Sequence, residues 1–90
     1  MDFQKIESFL ALAETLSFTK ASNTVFKSQS VLSRQIVSME EELGIQLFTR
    51  TKRRVELTPA GKALVPGLKK VMELYDSVIE EATSCPYISQ

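Results

Sequence analysis

Ser30, Ser33, Arg34 and Val37 recur at the spacing of one helical stripe, a nearly uncharged face of small side chains around a single arginine. A solvated helix face usually mixes Glu with Lys. A guanidinium among small neighbours can make a paired hydrogen bond to guanine or clamp a phosphate. Gln29 adds an amide suited to adenine, and Val31 a methyl surface for thymine. Ser28 and the free N–H groups of a helix start suit a phosphate. Small residues matter because the major groove admits a helix only if its backbone can approach the base edges. Downstream, Thr51-Lys52-Arg53-Arg54 forms a basic tip. Each signal has an ordinary meaning taken alone. A lone helical arginine is more often a surface ion-pair partner, serines are more often caps, and a basic tip is often a solvated turn. Together, and in this order along the chain, they point to duplex DNA.

Other chemistry is poorly supplied. There is no histidine, so the commonest general base and metal ligand are both missing. The single cysteine, Cys85, makes neither an internal disulfide nor a thiolate zinc cluster. No glycine-rich phosphate loop is written in the sequence, and no carboxylate pair is framed as a catalytic site. The expectation is a binding module that is not an enzyme and takes no cofactor or metal. Net charge is zero, but its distribution is uneven. Between residues 17 and 55, seven cations (Lys20, Lys27, Arg34, Arg50, Lys52, Arg53 and Arg54) face three carboxylates, Glu40, Glu41 and Glu42. Acidic residues prevail on either side, so one positively charged surface is expected.

These residues need a scaffold, and 90 residues with 43% hydrophobic content support a single small core. Phe3, Ile6, Phe9, Leu10 and Ala13 predict a helix over about 3–15. Ser17 reads as the cap of a short helix over about 18–26, with Phe18, Ala21, Ser22 and Val25 inward. Ser28 caps a third helix over about 29–43, whose core stripe is Leu32, Ile36, Met39 and Leu43 and whose stop is Gly44. Alternation at Phe48 and Arg50, and again at Val55 and Leu57, predicts two short strands joined by the basic tip. Thr58-Pro59 opens a long fourth helix over about 59–82. The fold class is mainly α: a winged helix-turn-helix of three helices and a two-stranded wing, followed by a long linker helix.

Along this frame the chain resembles a known family. Ser17-Phe18-Thr19-Lys20-Ala21, Ser28-Gln29, Ser33-Arg34-Gln35-Ile36, Glu40-Glu41-Glu42-Leu43-Gly44, Leu47-Phe48-Thr49-Arg50 and Leu57-Thr58-Pro59-Ala60-Gly61 are similar, in order and spacing, to the N-terminal domain of LysR-type transcriptional regulators. The resemblance implies binding to interrupted inverted repeats in promoter DNA, and dimerisation through the linker helix. It places DNA contacts at Gln29, Ser30, Val31, Ser33 and Arg34. Arg53 is the implied minor-groove residue, with Lys52 and Arg54 beside phosphates, and Thr19, Lys20, Ser28 and Arg50 are implied backbone contacts. Ser30 stands where the family favours proline, so base preference does not transfer from relatives. Ser22, Val25 and Met39 also depart from the usual pattern.

Three divisions follow: a DNA-binding domain over 1–58, a linker and dimerisation helix over 59–83, and a tail over 84–90 toward an effector-binding domain in a longer parent chain. A small-molecule effector would act only through that further domain. Leu64, Leu68, Val71, Tyr75, Val78 and Ala82 alternate spacings of four and three, with Leu74 and Ile79 widening a coiled-coil seam for a homodimer or higher oligomer. Pro66 predicts a bend near 62–66. No stretch approaches the ~20 apolar residues of a membrane span, and no secretory signal opens the chain, so a cytoplasmic protein without membrane contact is expected. A winged helix that binds protein rather than DNA is the main rival reading. A stand-alone ligand sensor is a weaker one, for lack of room beside a packed core.

Overall fold

The computed structural model describes residues 1–84. The tail from residue 85 on, with Cys85, lies outside the described residues. Four helices and two strands follow in the order α1 (Phe3–Thr15), α2 (Phe18–Val25), α3 (Gln29–Leu43), β1 (Phe48–Arg50), β2 (Val55–Leu57) and α4 (Pro59–Thr83).

Every helix starts on a side-chain oxygen. Asp2, Ser17, Ser28 and Thr58 accept from the backbone N–H of Lys5, Lys20, Val31 and Gly61, each such cap contributing about 1 kcal/mol. The first three helices end on left-handed residues: Leu16 (φ 51°), Phe26 (φ 56°) and Gly44 (φ 69°). Phe26 is therefore the cap of α2 and not its last helical residue, one position short of the expectation. The strands pair antiparallel, with Phe48 opposite Leu57 and Arg50 opposite Val55. Thr51 closes the wing: its N–H donates to the Arg54 carbonyl (2.8 Å), and its Oγ1 accepts from the N–H groups of Arg53 and Arg54.

The core is a cluster of Phe9, Leu12, Ala21, Leu32, Ile36, Met39, Leu47 and Phe48, with the Phe9 and Phe48 rings 5.6 Å apart. The burial pattern of α1 differs from the expected stripe. Ser8, Ala11 and Leu12 are buried, whereas Phe3 is 41% exposed. Helix α1 is covered by α2, α3 and α4 at once, so its buried surface is wider than one stripe. In α2, Ala21 and Ser22 are buried, and Phe18 and Val25 only half-buried. Leu43, expected in the core, is 39% exposed, because the last turn of α3 passes the edge of the body.

Helix α4 spans 25 residues, one beyond the expected end, and is therefore ~37 Å long. Its first turn approaches the core so closely at Gly61 that a Cβ there would overlap the Leu47 carbonyl oxygen. Pro66 lies inside the helix without ending it. The second half projects away from the body, and the longest dimension of the molecule is 54 Å.

Candidate nucleic-acid interface

The helix-turn-helix is built by the short α2–α3 connection, where left-handed Phe26 reverses the chain and Ser28 starts α3. The Ser28 hydroxyl accepts from the Val31 N–H at 3.2 Å. The N–H groups of Gln29 and Ser30 are then left without an intrahelical acceptor, open to an anion. A groove of about 630 Å³ runs along this end of α3, lined by Phe18, Gln29, Ser30, Ser33, Arg34 and Arg50. Beside it, a second cleft of about 870 Å³ separates the start of α2 from the wing, with Ser17, Thr19, Lys52, Arg53 and Arg54 on its walls. Phe18 and Arg50 line both, so groove and cleft open onto one surface.

Ten of the twelve expected contact residues are accounted for by this surface and its immediate border: Gln29, Ser30, Ser33, Arg34 and Arg50 in the groove, Thr19, Lys52, Arg53 and Arg54 in the cleft, and Ser28 at the helix start. Gln29 Nε2 donates to Thr19 Oγ1 at 3.2 Å, tying the two helices of the motif together at its mouth. Val31 is half-buried and lines neither depression, and Lys20 is exposed but lines neither. Arg34, Lys52 and Arg53 form no salt bridge among the described residues. Their charges are left for an outside anion. Arg54 shares its charge with Glu56 at 3.1 Å, both well exposed, a pair that screens readily.

Arg50 has a more constrained position than its sequence indicates. Its guanidinium lies 5.3 Å from the centre of the Phe18 ring and 3.7 Å from Glu40 Oε1. In the sequence Glu40 is only the first of three consecutive glutamates, with nothing local to set it apart. The Gly44 turn folds the chain back over the end of α3, where Glu40 Oε2 accepts from the N–H groups of Leu47 (2.8 Å) and Phe48 (3.2 Å). One carboxylate thus links α3, the first strand and a cation of the groove. Glu42 turns the other way and accepts from Lys5 Nζ (2.6 Å) and the amino terminus. The Lys5 ammonium, and after it the terminal amine, hold the Glu42 carboxyl down at about 2. Lys27, counted among the basic residues of the motif, also faces away from the groove, toward α1.

On α4 the expected seam divides. Leu64 and Leu68 pack on the domain's own core. From there on, Val71 (43% exposed), Leu74 (66%), Tyr75 (42%), Val78 (53%) and Ile79 (46%) are largely open to solvent, as is Ala82. The Tyr75 ring stacks at 4.3 Å on Phe3, which fastens the start of α1 to the middle of α4.

The sequence profile described as "Bacterial regulatory helix-turn-helix protein, lysR family" matches residues 3–62. The chain is 40% identical over 82 residues to the transcriptional regulator BudR of Klebsiella aerogenes, covering 91% of this chain and 57% of BudR. It is 38% identical over 78 residues to the transcriptional regulator YbhD of Escherichia coli K12, covering 87% of this chain and 25% of YbhD. It thus spans only part of the length of these relatives. Among solved structures, the BenM DNA-binding domain in complex with catB site 1 DNA superimposes with a TM-score of 0.87 at 37% identity, over 92% of this chain and 93% of that one. Four helices, a two-stranded wing and these similarities agree: the chain belongs to the lysR family of bacterial regulatory helix-turn-helix proteins, as a LysR-type helix-turn-helix DNA-binding domain.

Proposed function

We propose that this domain reads promoter DNA, with the start of α3 in the major groove and the wing, residues 51–54, at the backbone or in the minor groove. The carrying observation is one continuous surface on which Arg34 lies in a groove beside the small Ser30 and Ser33, while Lys52 and Arg53, without a salt bridge among the described residues, line the adjoining cleft. Small residues let the helix approach base edges, and the wing cations supply the sequence-independent attraction to phosphate. The BenM domain's complex with DNA supports the same assignment. Gln29, Ser30, Ser33 and Arg34 are assigned to bases, and Arg53 to the minor groove. Lys52, Arg54, Thr19, Lys20, Ser28 and Arg50 are assigned to the backbone. Val31, half-buried and outside both depressions, takes a peripheral role.

The unit proposed to act on DNA is a homodimer joined through the exposed part of α4. The uncovered stripe from Val71 to Ile79 supports this, because a helix this long overreaches its own small body. Effector sensing is assigned to a separate domain, in keeping with relatives of which this chain spans 25% and 57%. Among the described residues no helix is long and apolar enough to cross a membrane, and a cytoplasmic regulator without catalytic activity is the accompanying proposal.

An electrophoretic shift with random genomic fragments, followed by sequencing of the bound fraction, tests this function. The chain is expected to shift fragments and enrich a subset sharing an inverted repeat. A chain that shifts no fragment would favour a protein-binding winged helix instead.

A further inference from the structure

Lys27 stands in the connection between α2 and α3, directly before the Ser28 cap, where a lysine would be expected to reach a phosphate. Its side chain runs the opposite way. Nζ donates to the Gln4 carbonyl (3.1 Å), Ser8 Oγ (2.9 Å) and Gln35 Oε1 (2.9 Å). An ammonium has three N–H donors, and all three are used. Ser8 is fully buried, and its hydroxyl donates to the same Gln35 oxygen at 2.6 Å. The backbone N–H of Lys27 donates to the Ser22 carbonyl at 3.0 Å. The turn is thus fastened to α2 by its backbone and to α1 and α3 by one cation. Only neutral oxygens hold that cation: among the described residues Lys27 has no carboxylate partner.

We propose that Lys27 is a positioning residue for base reading, a staple that fixes the angle at which α3 leaves the turn and contributes no contact to DNA. The proposal rests on the assignment of α3 to the major groove. Base readout needs side chains held within about 0.5 Å of their working geometry, whereas phosphate attraction is long-ranged and tolerant. Loosening the staple therefore lowers discrimination and leaves general affinity for DNA in place. Replacement by methionine keeps an unbranched side chain of similar length and leaves Ser8 and Gln35 bonded to each other, so the core stays satisfied.

The experiment compares the full chain with Lys27→Met on two duplexes, one enriched from random sequence by the unaltered chain and one scrambled, at several salt concentrations. Lys27→Met is expected to bind the enriched duplex about tenfold more weakly or worse, to bind the scrambled duplex within about twofold, and to keep the salt slope. Ser8→Ala, buried and out of reach of DNA, is expected to lose discrimination in the same direction. Equal weakening on both duplexes with a salt slope lower by about one would make Lys27 a phosphate contact and overturn the proposal. Parental discrimination in either folded variant would also overturn it, leaving a purely structural staple. Should Lys27→Met melt below assay temperature, Lys27→Gln, which keeps two donors, carries the same comparison. An unaltered chain that enriches no duplex ends the DNA reading itself, and this proposal with it.

Discussion

Replacing Glu40 tests how the wing is held to α3. Its side chain is 13% exposed, and Leu47 and Phe48, whose N–H groups it accepts, are fully buried or nearly so. Hydrogen bonds to a charged partner are worth about 1.5–3 kcal/mol each, and losing the acceptor strands both donors. Glu40→Ala is therefore expected to destabilise the domain by about 3–5 kcal/mol. Glu40→Gln keeps one oxygen for the two amides but loses the charge and the oxygen that faces Arg50, so about 1–2 kcal/mol is expected. Arg50→Ala removes a partner at 3.7 Å whose own side chain is 33% exposed, and after discounting for solvent should cost less than about 1 kcal/mol. Urea unfolding of the three variants, followed by circular dichroism, gives the order directly. A Glu40→Ala loss below about 1 kcal/mol would show that water satisfies the amides. An Arg50→Ala loss as large as that of Glu40→Ala would show that the ion pair, and not the amide clasp, holds the wing.

Three further outcomes are expected. Arg34→Ala should cost about 1–3 kcal/mol on an enriched duplex and much less on a scrambled one, whereas Lys52→Ala should weaken both alike and lower the salt slope by about one; titrations at several salt concentrations check this, and equal losses for Arg34→Ala would make Arg34 a phosphate clamp. Leu74→Glu, at the most exposed large apolar side chain of α4, should turn a dimer into a monomer in light scattering at tens of micromolar, and a strictly monomeric parent would contradict the seam. The lowered Glu42 carboxyl contributes stability that is full above its ordinary value of 4.5 and is lost as pH falls toward about 2, so Glu42→Gln should flatten the acid arm of the stability profile, and an unchanged arm would show that the Lys5–Glu42 pair is idle.

Much of this architecture was legible in the sequence because its signals are local. Ser17, Ser28 and Thr58 cap the helices they precede, through bonds that span only three residues, and Gly44 ends α3 where a left-handed residue was needed. The shared face of Ser30, Ser33 and Arg34, proposed to read bases, was legible for the same reason, since they fall on one stripe by helical geometry alone. What tertiary structure decided are partners far apart in the chain, or choices between two apolar surfaces. Lys27 sits amid a basic segment, yet packing gives its ammonium to Gln4, 23 residues earlier. Glu40 looks like one acid in a row of three until the Gly44 turn returns two amides to it. Leu64 and Leu74 are alike as letters, but Leu64 lies on the face of α4 that meets the core and Tyr75 meets Phe3, whereas Leu74 lies off that face, so one is packed and the other exposed. Periodicity says which residues share a face of a helix; only the docking of the other elements says what that face meets.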